Sequence, residues 1–186
     1  MTIRLGNKIL GAPPNMHKIY DLTASVGHST VAAENRHDDV LLVQYFLNKI
    51  YRGITIHPVS RLAMDGVFGP LTHYWMLHFM AGVRSNEAYL HIPGNYTFSP
   101  LTKAVELIGG ESIHGGDAAG RAGAIAKEAT DRDAPSAAWD MFLQTWIGQL
   151  NFMAFEADPM NFNELTTKDP LMPAYLKRAL DGKVHA

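Results

Sequence analysis

Apolar residues recur with a helical period in several stretches of the chain. From Asp38-Asp39 to about Tyr51, Val40, Val43, Leu47 and Ile50 fall on one stripe, and Leu42 and Phe46 widen it. This spacing predicts a helix buried on more than one side, at the centre of a core. The two acids at its start suit the positive end of a helix dipole, and either can act as a cap. A connector follows, and Asp65-Gly66 within it signals a turn. Pro70 then opens a second helix to about Met80, where Leu71, Tyr74, Trp75, His78 and Phe79 lie on neighbouring faces and Gly82 marks the end.

Beyond this point the pattern partly repeats. Phe68-Gly69-Pro70-Leu71-Thr72 matches Phe98-Ser99-Pro100-Leu101-Thr102 thirty residues later, and a third helix is expected from Pro100 to Ile108. Two such units suit a pseudo-symmetric pair inside one helical domain and are too few for a solenoid. Gly109-Gly110 and Gly115-Gly116 bracket a break, so residues 109–134 read as a Gly/Ala-rich linker or loop. A further helix is expected from Pro135-Ser136 to Phe155, with Phe142, Thr145, Trp146, Gln149 and Leu150 on one face. A short one spans Ala174 to Leu180. Residues 1–34 carry Gly6, Gly11, Pro13, Pro14 and Gly27 and read as an irregular arm. A short β run at Thr2-Ile3-Arg4-Leu5 is its most regular part. The chain thus divides into an arm (1–34), a helical domain (35–108), a linker (109–134) and a C-terminal helical extension (135–186) that packs on the core.

Composition narrows the functions. Sixteen Lys and Arg against eighteen Asp and Glu give a net charge of −2, which excludes a strong general pull on nucleic acid. There is no Cys, so disulfides, thiolate metal sites and Cys nucleophiles are excluded. The longest strongly apolar run, Val40–Leu47, is interrupted by Gln44 and is too short to span a bilayer. No secretory signal pattern is visible, so synthesis in the cytoplasm is expected, with any action at the cell wall or periplasm requiring another delivery route.

The motifs Asp39-Val40-x-x-Val43-Gln44-x-x-Leu47-Asn48 and Met64-Asp65-Gly66-Val67-Phe68-Gly69-Pro70-x-Thr72, followed by an aromatic-rich helix, resemble the peptidoglycan-binding-like domain family. Ser25-Val26-Gly27 and Asn35 fit the same pattern. The resemblance covers residues 35–108. It implies an all-α fold: a three-helix peptidoglycan-binding-like core, here extended by C-terminal helices and preceded by an irregular arm. Phe79-Met80 replaces the Phe-Gln that often ends the second helix in that family, and the connector Tyr51–Leu62 is long.

Within the motif, Asp39, Val43, Leu47, Gly66, Phe68, Gly69, Thr72, Phe98 and Thr102 are structural candidates. Asp65 closes a turn, the two glycines supply special backbone angles, Phe68 fills the core, and Thr72 bonds a nearby amide or carbonyl. The resemblance implies a shallow groove for stem peptide or glycan. Gln44, Asn48, Tyr51, Asp65, Tyr74 and Trp75, with Tyr45, are its candidate lining, because aromatic faces pack on sugar rings and amides offer both donors and acceptors. The alternative for Tyr74 and Trp75 is core, and for Gln44 and Asn48 it is capping of a loop.

No catalytic motif is found. There is no His-Glu-x-x-His, no Gly-x-Ser-x-Gly and no phosphate loop. His28, Glu34, His37 and Asp38 form the densest group of metal-type ligands, in a spacing that matches no metal motif. The expectation is therefore a non-catalytic cell-wall recognition module without cofactor or metal, its partner being peptidoglycan or its fragments. The first rival is an assembly protein of a phage or injection machine, with Trp139, Met141, Phe142, Trp146 and Met153 supplying a surface for a partner or for self-association. The second is a wall hydrolase whose acids lie among Glu106, Glu111, Glu128, Glu156 and Glu164.

Overall fold

The computed structural model describes residues 2–5, 13–16, 18–51, 61–85, 96–101, 139, 142–163 and 172–181. Among them the chain is mainly helical. Helix α1 spans His37–Ile50, α2 Pro70–Arg84, α3 Trp146–Ala157, α4 Pro159–Asn163 and α5 Ala174–Asp181. Strand β1 (Thr2–Leu5) pairs antiparallel with β2 (Lys18–Asp21), and β3 (Val26–Gly27) pairs antiparallel with β4 (Thr97–Phe98). No helix among the described residues is long and apolar enough to cross a membrane. Thr102, the rest of the helix expected to Ile108, the linker 109–134 and the start of the helix expected from Pro135 lie outside the described residues.

Helix α1 is the axis of the core. Val40, Leu42, Val43, Phe46 and Leu47 are all buried, as the wide apolar stripe requires. Each such side chain contributes about 1.5–3 kcal/mol of apolar transfer. One face of α1 meets α3 through Trp146, Ile147, Leu150 and Phe155. Another meets α2, and α5 docks through Leu176. The distal apolar residues thus complete one core with α1, although Met160 on α4 remains exposed.

The segment read as an irregular arm belongs to that core. Ile19, Tyr20, Leu22 and Val26 are buried with the helices. Asn151 of α3 holds β2 in place: its Oδ1 accepts the Tyr20 N–H at 2.8 Å and its Nδ2 donates to the Tyr20 carbonyl at 2.8 Å. Asn35 does the same for Gly27, with 2.9 Å in both directions. In each case a side-chain amide acts as a one-residue strand neighbour, satisfying backbone groups that a longer sheet would otherwise pair.

Several expectations need correction. Asp39 does not cap α1, whose N-cap is Arg36 without a side-chain bond. Its buried carboxylate turns back to the arm, accepting from Thr23 N–H (3.1 Å), Thr23 Oγ1 (2.8 Å) and Ala24 N–H (3.0 Å). Helix α2 runs through Gly82 to Arg84. The helix expected from Pro135 to Phe155 is broken at Gln144-Thr145. Thr145 adopts extended backbone and caps α3, its Oγ1 accepting the Gly148 N–H at 2.9 Å. A Cβ at Gly148 would overlap the Phe142 carbonyl, so the tight entry into α3 requires glycine there. The two Phe-x-Pro-Leu-Thr segments also differ. Phe98 lies in a strand and packs on Phe79, whereas Phe68 sits in a half-buried turn.

A cation is also built into the core. Lys49, in the last turn of α1, is buried and pairs with Asp158 at 3.2 Å, beside Tyr45 Oη at 3.4 Å. Partial burial pulls the Asp158 pKa upward. Bonds from the Asn161 side chain and backbone, and from Lys49, outweigh this and hold it below its ordinary value of 3.8. A folded-state pKa below the unfolded one adds stability that is complete above the unfolded value and is lost as pH falls through the folded value. Urea unfolding should therefore weaken below about pH 4, with a flatter acid limb in Asp158→Ala. That variant should lose about 2 kcal/mol at pH 7, and adding Lys49→Met should recover part of the loss. Identical acid limbs would show that the pair contributes nothing.

Candidate functional site

The turn between α1 and α2 is built around Gln44. This side chain interrupts the apolar run of α1 and is buried. Its Oε1 accepts the N–H groups of Asp65 (3.1 Å) and Gly66 (2.9 Å). Its Nε2 lies within bonding distance of Asp65 Oδ1 (3.0 Å), the Val67 carbonyl (3.0 Å) and Thr72 Oγ1 (3.1 Å). Asp65 Oδ1 also accepts the Val67 N–H at 2.9 Å, closing the turn, and Thr72 Oγ1 reaches the Val67 carbonyl at 3.4 Å. Asn48, one helical turn on, donates to the Gln44 and Leu62 carbonyls, both at 2.9 Å.

Backbone geometry supports the same turn. Gly66 has φ +70°, and a Cβ there would lie 2.5 Å from the His37 ring, which packs directly over it. Gly69, expected to need special angles, is extended (φ −112°) and serves as the N-cap before Pro70. Phe68 is half-buried against the core rather than filling it.

The candidate groove residues thus divide. Gln44 and Asn48 spend their amides on holding the connector, and Tyr45 is buried. Asp65 is exposed at the turn. The Val67 N–H bond, then the Gln44 bond, hold its pKa below the ordinary value, with a smaller contribution from the charge of His37. Tyr51, Tyr74 and Trp75 come together at the other end of α1, and His78 joins them. Tyr51 lies 5.1 Å from Trp75 and 5.2 Å from His78, and Trp75 lies 5.8 Å from His78. Tyr74 lies 6.0 Å from Trp75, edge-on, and its ring is parallel to that of His78 at 6.4 Å. Trp75 is buried, Tyr51 is half-buried with its phenol pushed up to about 12 by burial, and Tyr74 is 42% exposed. The result is an aromatic platform with a core-anchored base and an open edge. His78 belongs to it through the i, i+4 spacing from Tyr74, which was readable in the sequence.

A second feature was not legible there. An open cleft of about 470 Å³ is lined by His37, Leu41, Met64, Asp65, Pro173 and Tyr175. It joins the N-terminal turn of α1, the Asp-Gly turn and the start of α5. Tyr175 meets the His37 ring edge-on at 5.1 Å. No local spacing connects residue 175 to residue 65, so only the tertiary fold reveals this wall.

Of the metal-type cluster, Glu34 is bonded by Arg36 at 3.0 Å and His37 approaches Asp38 at 3.5 Å, while the His28 ring instead lies tilted against that of His73 at 4.7 Å. No group of three or more His, Asp or Glu among the described residues is placed to hold a metal ion. Of the five candidate acids only Glu156 lies among the described residues, and it is exposed on α3. Comparison with protein families, with curated proteins and with solved structures finds no match.

The Gln44 amide can be tested directly. Gln44→Leu keeps the volume but removes the acceptor of the Asp65 and Gly66 N–H groups, and should cost about 2–4 kcal/mol in urea unfolding. Asp65→Asn retains an acceptor for the Val67 N–H and should cost less than half as much.

Proposed function

We propose that this protein is a non-catalytic recognition module for peptidoglycan, and that the Tyr51–Tyr74–Trp75–His78 platform is its glycan-facing surface. The platform is the observation that carries the reading. Sugar rings present apolar C–H faces and polar edges. An exposed aromatic ring backed by a buried one offers a rigid face to the former, and the phenol and imidazole offer bonds to the latter. Trp75 anchors the platform in the core, so little ordering is needed on binding. The succession of α1, the Gln44-held turn and α2 is the order that resemblance to peptidoglycan-binding-like domains implies, and it supports the same reading.

A second reading is favoured by one detail. Leu77 is 36% exposed beside Tyr74 on the outer face of α2. An apolar side chain next to the platform suits a protein partner, as in an assembly protein of a phage or injection machine.

Sedimentation with insoluble peptidoglycan separates the two. The wild-type chain should be retained, and Tyr74→Ala and His78→Ala should each weaken retention about three- to tenfold, the worth of an aromatic contact. Their melting temperatures should stay close to wild type, because Tyr74 is exposed and His78 is half-buried. A wild-type chain that stays in the supernatant and self-associates in light scattering would support assembly instead.

A further inference from the structure

We infer that the cleft between the Asp-Gly turn and α5 is a second binding site, selective for a ligand carrying a primary ammonium group on an apolar stem. The inference does not rest on wall recognition. His37 and Tyr51 stand at opposite ends of α1, roughly 21 Å apart at 1.5 Å per residue, so the cleft and the aromatic platform are separate.

The cleft has one anionic group and an apolar floor. Leu41, Met64 and Pro173 supply the floor, and Tyr175 and His37 form an aromatic wall. Asp65 supplies the charge. It is exposed, and its two turn-closing bonds fall on Oδ1, so its other oxygen has capacity for a cation. Those bonds also fix the carboxylate in position before any ligand arrives, which lowers the ordering cost of binding. Asp65 keeps its negative charge well below neutral pH, because the bonds it accepts hold its pKa down. An ammonium group donates up to three bonds and is attracted to a tyrosine face, and an alkyl stem matches the floor. A carboxylate or phosphate ligand would meet Asp65 as a like charge.

The test titrates the 15N-labelled 186-residue chain with n-pentylammonium chloride, n-pentanol serving as neutral isostere and sodium chloride as salt control. Amide shifts of Asp65, Gly66, Val67 and Tyr175 report the cleft, and that of Tyr74 reports the platform. Pentylammonium should give saturating shifts at the cleft residues and none at Tyr74, with affinity about tenfold above pentanol, the worth of a charge-assisted bond. Asp65→Asn should remove that preference while leaving distant amide shifts unchanged. Tyr175→Ala, which alters no bond of the turn, should weaken both probes. Equal affinity for pentanol, retention of the preference in Asp65→Asn, or absence of saturation at the cleft amides would each overturn the inference. None of these results bears on sedimentation with peptidoglycan, which reads the other end of α1.

Discussion

A buried amide, Gln44, ties the segment that leads into the second long helix to the first. Gln44 sits where the pattern of α1 calls for an apolar residue, and it brings two acceptor bonds and three donor contacts to the Asp65–Thr72 segment. The cost of burying an amide is offset only if its bonding capacity is used, and here it is used on backbone groups that would otherwise lack partners. The turn is therefore held from its inner side by α1 rather than by its own residues alone. Its outer side presents Asp65, and α2 begins just beyond it, with Gly69 as N-cap and Pro70 as first residue. Both candidate surfaces follow from that constraint. The cleft takes its charge from the turn, and the platform takes three of its four rings from α2 and the fourth from the adjoining end of α1.

The same device recurs in the fold. Asn151 and Asn35 each pair both backbone groups of one residue, Tyr20 and Gly27, and Asp39 collects three donors from Thr23 and Ala24. Among the described residues each sheet has two strands. Short side chains with fixed geometry complete them, where a larger protein would add strands. The buried polar residues of this core therefore specify which loop lies against which helix, while the apolar residues supply the bulk of the driving force.

Much of the helical frame was legible from period alone. The stripe Val40, Val43, Leu47 and Ile50 located α1 to within a residue or two, and Pro70 located the start of α2. The Asp-Gly pair marked the turn because only φ +70° suits that position. Partners across long sequence separations were not legible. Nothing near Tyr20 indicates Asn151, and nothing near Asp65 indicates Tyr175. The arm was misread for the same reason: Gly and Pro punctuate it, but the burial of Ile19, Tyr20 and Val26 depends on helices more than a dozen residues away. Gln44 and Asn48 were visible as amides one turn apart. Whether such amides face ligand or loop is decided by what packs over them, which is tertiary information.

This distribution of contacts bears on how the protein divides. The motif-bearing stretch 35–108 suggests an independent module, yet α1 is enclosed by β2, α3 and α5 as well as by α2. Removing the segments on either side would expose Val40, Phe46 and their neighbours, and would deprive Asp39 and Lys49 of Thr23 and Asp158. A charge buried at Lys49 is tolerable only with a carboxylate close by, and that carboxylate lies at the end of α3. Helix α1 therefore serves two purposes that cannot be separated by cutting the chain. It is the spine of a core made from both ends of the sequence, and the aromatic platform and the cleft lie at its two ends. A recognition surface kept stiff by such a core binds through small, pre-set contacts rather than by folding around its ligand, which fits an exposed Tyr74 resting on a buried Trp75.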